Sequence, residues 1–147
     1  MHEKCGVVGI STTDRDAARP IYYSLYALQH RGQEAAGIVT HDGFQQHDHV
    51  ETGLVGDAFE PEDIDGLKGT NGIGHVRYPT QGGLGACCAQ PFSVSFKSGS
   101  LGLAHNGNLV NTDSLREELA TLGHAFTSDG DTEVIAHQLA RNLLEED

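Results

Sequence analysis

Nineteen glycines cut this chain of 147 residues into short apolar runs separated by turns. Runs of that length are built as strands more readily than as long helices. Residues 5–11 (CGVVGIS) read as a buried strand that starts almost at the N-terminus. Residues 37–40 and 44–51 form a hairpin around Asp42-Gly43, a favourable turn pair. Further short strands fall at 72–78, 92–96 and 101–105, with a glycine-rich loop over 81–86 and Asn106-Gly107 stopping the last strand.

Helical periodicity occurs in three places. Ile21, Tyr22, Leu25 and Leu28 recur at helical spacing over 20–30, with Pro20 suited to the first turn and Gly32 to the C-terminal cap. Thr112 is placed to cap a helix that carries Leu115, Leu119 and Leu122 on one face and closes at Gly123. Asp131 is placed to cap a last helix with Val134, Ile135, Leu139 and Leu143 turned inward. Residues 60–67 read as a weak acidic helical turn or loop. The sum is one mixed domain, α+β in class. Its sheet faces call for a further layer, so a fragment of a larger unit is expected.

Composition narrows the function. No apolar run approaches the roughly 18 residues of a membrane helix, and the first residues lack the apolar core of a signal peptide. A soluble, cytoplasmic protein with no membrane partner is therefore expected. Net charge is −12, with 21 acidic residues, a balance that repels phosphate backbones and argues against nucleic acid as a partner. It fits a solvated acidic surface or, more sharply, adaptation to high salt. Cys5, Cys87 and Cys88 form no disulfide framework: the last two are adjacent, and the odd count leaves one thiol free.

Cys5 is the residue with most to offer chemically. A cysteine opening a strand is ordinarily core. If residues 1–4 are removed, however, it carries a free α-amino group beside its own thiol. Such an amine titrates near pH 8, so one residue supplies both nucleophile and base for acyl transfer, and Gly6 lets a substrate approach closely. Asn106 and Gly107, in His105-Asn106-Gly107-Asn108, offer an amide and a main-chain N–H for a developing oxyanion, although an ordinary Asn-Gly turn looks the same. Arg77 ends an apolar strand, where a guanidinium can grip a carboxylate or simply form an ion pair. Asp131 can accept a substrate ammonium as well as cap a helix. His47, Asp48, His49 and Glu51 do not make a convincing metal set, because third and fourth ligands are missing.

Six segments, in order, carry a family resemblance: CGVVGI at 5–10, LQHRGQEAAGI at 28–38, GHVRYPTQG at 74–82, AQPF at 89–92, LAHNGNLVN at 103–111 and DTEVIAH at 131–137. Together they resemble the glutaminase domain of the amidophosphoribosyltransferase family, and they span nearly the whole chain. The resemblance implies a class II glutamine amidotransferase with the N-terminal-nucleophile hydrolase fold, a four-layer αββα sandwich, incomplete here. Residues 1–4 would be a short propeptide and 5–147 the N-terminal part of the amidotransferase domain, with the remaining strands and the phosphoribosyltransferase domain absent.

Carried over by motif, Cys5 is the nucleophile, and Asn106 with the Gly107 N–H forms the oxyanion hole. Arg77 holds the glutamine α-carboxylate, Asp131 (or its rival Asp129) accepts the α-amino group, and Arg31 is a supporting arginine. The implied activity is glutamine hydrolysis through a cysteinyl thioester, with ammonia passed to a phosphoribosyltransferase domain that makes 5-phosphoribosylamine at the start of purine synthesis. No cofactor is expected within these residues, since magnesium and, in some members, an iron–sulfur cluster would belong to the absent part. The intact protein is expected to be a homo-oligomer. The alternatives are the glutaminase part of another amidotransferase, such as glucosamine-6-phosphate synthase, and a non-catalytic binding module.

Overall fold

Strand β4 (Asn71–Arg77) shows how the layers are stacked. Side chains alternate across a strand, and Gly72, Gly74 and Val76 face helix α1 (Ala18–Ala27). A methyl group on Gly74 would stand 2.5 Å from Ile21 and 3.0 Å from Leu25, so the helix lies close on the sheet where side chains are absent. Ile73, His75 and Arg77 face the other way. This computed structural model describes residues 5–13, 16–78, 88–97 and 99–145.

The main sheet is antiparallel, in the order β1-β4-β2-β3, with β1 spanning Gly6–Ser11, β2 Ala35–His41 and β3 Gln46–Thr52. A second sheet pairs β5 (Phe92–Phe96) with β6 (Gly99–Leu103). The two sheets meet at small residues: a Cβ on Gly102 would stand 2.7 Å from Val39, and one on Gly37 would collide with the Gln90 carbonyl and Pro91. Helices α1, α2 (Val55–Ala58) and α3 (Pro61–Gly66) cover one side. Helix α5 (Asp131–Glu145) packs on β5 and β6, and α4 (Thr112–Thr121) packs on α5. The expected αββα layering is therefore present.

The largest core cluster joins α1 to the main sheet through Ile21, Leu25, Ile38 and Val76, all fully buried, together with Val55, Phe59 and Leu67. Each such large side chain contributes about 1.5–3 kcal/mol when buried. The hairpin turn is as expected: Asp42 Oδ1 accepts the N–H groups of Phe44 and Gln45, and Gly43 takes a φ of +98°. The acidic stretch at 60–67 does form a helix, because Glu60 and Asp63 make a reciprocal capping box around Pro61.

Several expectations are corrected. Among the described residues, β1 is a half-buried edge strand with Val7 43% exposed, since only its α1-facing side is covered. Gly32 follows a 3-10 turn over Gln29–Arg31 with extended backbone, φ −160°, so it is not a left-handed cap. A Cβ there would stand 2.5 Å from the Arg77 carbonyl carbon, and close approach is what requires glycine. Thr112 is the first helical residue, its hydroxyl donating to Leu109 O, and Asn111 occupies the cap position. Leu122 is exposed while Leu119 is buried. On α5 the buried residues are Thr132, Glu133, Val134, Ala136 and Ala140, whereas Leu139 and Leu143 are exposed. Small residues let this helix sit close to the sheet, and that rotation turns the two leucines outward.

Candidate active site

β1 pairs with β4 from Gly6 opposite Val76, which carries Cys5 to the end of the sheet where Arg77 lies. There the Cys5 carbonyl is held from two directions. Arg31 Nε donates to it at 2.9 Å and the Asn106 side-chain amide at 3.4 Å. The arginine is presented by the 3-10 turn after α1, and the asparagine by the loop after β6. Two of the motif residues thus converge on the third. The Cys5 thiol is free and half-buried. Residues 1–4, read above as a propeptide, lie outside the described residues, as do the loop at 81–86 and Cys87.

Arg77 is 9% exposed at its side chain, with Nε 3.4 Å from Glu34 Oε2. The main chain locks the same corner, since Glu34 N donates to Arg77 O at 3.0 Å and Gly32 packs on that carbonyl. Gln29 fastens the turn, its amide donating to Gly32 O and its Oε1 accepting the Val55 N–H. A guanidinium fixed this way is pre-oriented, so little side-chain entropy is lost on gripping a carboxylate.

The loop after β6 begins at His105, whose N–H donates to Gln90 Oε1 at 2.7 Å. Asn106 and Gly107 are exposed beyond it. Asp131, expected to cap α5, is instead its first helical residue, and its carboxylate reaches outside the helix. Oδ2 accepts the Leu109 N–H at 3.0 Å, and Oδ1 is 3.7 Å from His105 Nδ1. A carboxylate has about four acceptor sites, so room remains for a substrate ammonium. Asp129 is exposed.

The segment at 127–130 that delivers Asp131 is braced from both sides. Glu133, 1% exposed, accepts the main-chain N–H and hydroxyl of both Thr127 and Ser128. Burial alone would raise the pKa of this carboxyl, but the Ser128 and Thr127 bonds outweigh it and hold the pKa below its ordinary value. Arg116 donates to Ser128 O and Gly130 O and lies 4.5 Å over the Phe126 ring. On β4, beside Arg77 and His105, His75 is fully buried; burial and then the nearby Arg77 push its pKa down to about 4, so the ring is neutral.

Sequence reasoning passed over His105, Gln90, Glu34, Glu133 and Arg116. The first four lie in or beside quoted motifs, a signal that could have marked them; Arg116 had none. His47 bonds to Asp42, and His49 contacts Ala58 O and Asp63. Among the described residues no three His, Cys, Asp or Glu side chains are grouped to hold a metal. No helix among them is long and apolar enough to cross a membrane.

The chain as a whole has relatives. Residues 65–142 match the family described as a glutamine amidotransferase domain, and the chain belongs to that family. Within it, the chain corresponds to the glutaminase domain of amidophosphoribosyltransferase. It is 52% identical to the amidophosphoribosyltransferase of Methanocaldococcus jannaschii over 141 residues, 95% of this chain and 30% of that protein. Bacillus subtilis glutamine phosphoribosylpyrophosphate amidotransferase, solved with ADP and GMP, superposes with a TM-score of 0.81 at 43% identity, covering 92% of this chain and 29% of the other. A structure described as the allosteric regulatory enzyme of purine biosynthesis gives 0.83 at 46% identity, with the same coverage. The chain therefore spans about 30% of the length of the relatives it matches.

Proposed function

We propose that this chain hydrolyses glutamine to glutamate and ammonia as the glutaminase part of an amidophosphoribosyltransferase, with Cys5 as nucleophile once residues 1–4 are removed. The observation that carries the reading is the convergence of Arg31 and Asn106 on the Cys5 carbonyl, which joins the start of β1 to the loop expected to bind the oxyanion. Arg77 would take the α-carboxylate and Asp131 the α-ammonium. The α-amine of Cys5 takes the thiol proton as sulfur attacks the side-chain amide carbon. Asn106 and the Gly107 N–H bear the charge on the oxygen, each such donor contributing about 2.7–4 kcal/mol. Collapse breaks the C–N bond, and the proton leaves on ammonia. Water then cleaves the thioester, giving glutamate and restoring the thiol.

The same proposal places an ammonia-accepting phosphoribosyltransferase domain elsewhere in the protein and a cytoplasmic setting for the whole. The amidophosphoribosyltransferase relatives favour the purine enzyme over a sugar-phosphate one. In the purified protein, Cys5→Ala should abolish ammonia release while glutamine still binds in a calorimeter, and intact mass should show Cys5 as the first residue of active material. Turnover retained by Cys5→Ala sinks the assignment.

A further inference from the structure

His105 lies between the two groups that the proposed reaction needs on opposite ends of its substrate. A methyl group built on Gly107 would stand 2.7 Å from His105 Nε2 and 3.3 Å from Cε1, so the imidazole lies directly against the Gly107 main chain. The opposite ring nitrogen, Nδ1, faces Asp131 Oδ1 at 3.7 Å. The main chain of this residue is fixed by its N–H bond to Gln90 Oε1 at 2.7 Å, and its side chain is only 26% exposed. Asp131 in turn holds Leu109 N at 3.0 Å, two residues beyond Gly107. Ring, carboxylate and main chain at 105–109 therefore close a loop, with Asn106 and Gly107 inside it.

We propose that His105 is a positioning residue that holds the Gly107 N–H and the Asp131 carboxylate in a fixed mutual geometry. This rests on the glutaminase reading above. The ring acts by setting where an oxyanion donor points relative to the group that anchors the far end of glutamine. A donor displaced by about 1 Å loses much of its value to the transition state, whereas ground-state binding depends on Asp131 and Arg77. The two ring nitrogens thus have separable roles, Nδ1 toward binding and the Nε2 side toward turnover.

The test is steady-state glutamine hydrolysis by the purified protein carrying His105→Asn or His105→Gln, with Cys5→Ala run alongside. An asparagine amide reaches about where Nδ1 lies, and a glutamine amide about where Nε2 lies. His105→Asn should keep KM within about twofold and lower kcat about ten- to a hundredfold, while His105→Gln should raise KM more than His105→Asn does. Gly107→Ala should lose less activity in a His105→Ala background than alone, since the 2.7 Å collision is with that ring. Equal KM values in the Asn and Gln variants, or kcat within twofold of wild type in both, overturn the role of His105 while leaving the glutaminase reading intact. Activity surviving in Cys5→Ala instead removes the reading on which the proposal stands.

Discussion

His75 makes the stability of this fold sensitive to acid, and the size of the effect follows from its position. The imidazole is fully buried on β4, with Arg77 and His105 as its charged or titratable neighbours, and its pKa falls from 6.5 to about 4. Between those two values the unfolded chain binds a proton that the native protein does not. Stability from this residue is therefore complete above pH 6.5 and is lost as pH falls. With 1.36 kcal/mol per unit, the loss is about 2 kcal/mol at pH 5 and about 3 kcal/mol at pH 4. His75→Gln removes the titration while keeping a neutral polar side chain of similar length. Urea unfolding of both proteins from pH 7.5 to 4, followed by circular dichroism, should show the wild-type curve falling toward that of the variant by those amounts. Histidines not coupled to His75, His137 among them, act equally on both curves and cancel in the difference, whereas His105, its titratable neighbour, adds a smaller coupling contribution. Parallel curves would refute the reasoning, because they would mean that His75 keeps or loses its proton in the same way folded and unfolded.

Two further outcomes are expected. Gly32→Ala should destabilise the protein by about 1–3 kcal/mol, read as a lower urea midpoint, since its Cβ meets the Arg77 main chain at 2.5 Å; an unchanged midpoint would show that the corner yields freely. Arg77→Ala and Asp131→Asn should each raise the KM for glutamine at least tenfold, and Asp129→Asn should raise it far less; the reverse order for the two aspartates would move the ammonium contact to Asp129.

Most of the architecture was legible because it follows from periodicity and turn chemistry. The hairpin at Asp42-Gly43, the β4 and β5 strands, and the helices from residues 18, 112 and 131 each carry their own local signal. Orientation was not legible. Leu139 and Leu143 have the right spacing for a buried stripe, yet Ala136 and Ala140 face the sheet, because packing distance rather than hydrophobicity selected the face. Gly32 was recognised as a special position for the wrong reason, since a cap and a close approach both favour glycine. Cys5, Asn106 and Arg31 could be named from motifs, but their meeting at one carbonyl could not. Contacts such as Gln90 with His105, or Glu133 with Thr127 and Ser128, join loops and have no repeating pattern to betray them.

The grip on the Cys5 carbonyl answers a difficulty peculiar to the proposed chemistry. A chain end frays unless something ties it down, yet a residue whose α-amine serves as the base cannot be tied through that amine. Its thiol is equally unavailable, since sulfur must attack. The carbonyl is the one polar group left. It receives Arg31 Nε at 2.9 Å and the Asn106 amide at 3.4 Å, just where the β1–β4 ladder begins at Gly6. Hydrogen bonds from a charged donor contribute about 1.5–3 kcal/mol, enough to hold a single terminal residue against fraying of a residue or two. Arg31 therefore needs no contact with glutamine to matter: by fixing the carbonyl it fixes the direction in which thiol and amine leave the same Cα.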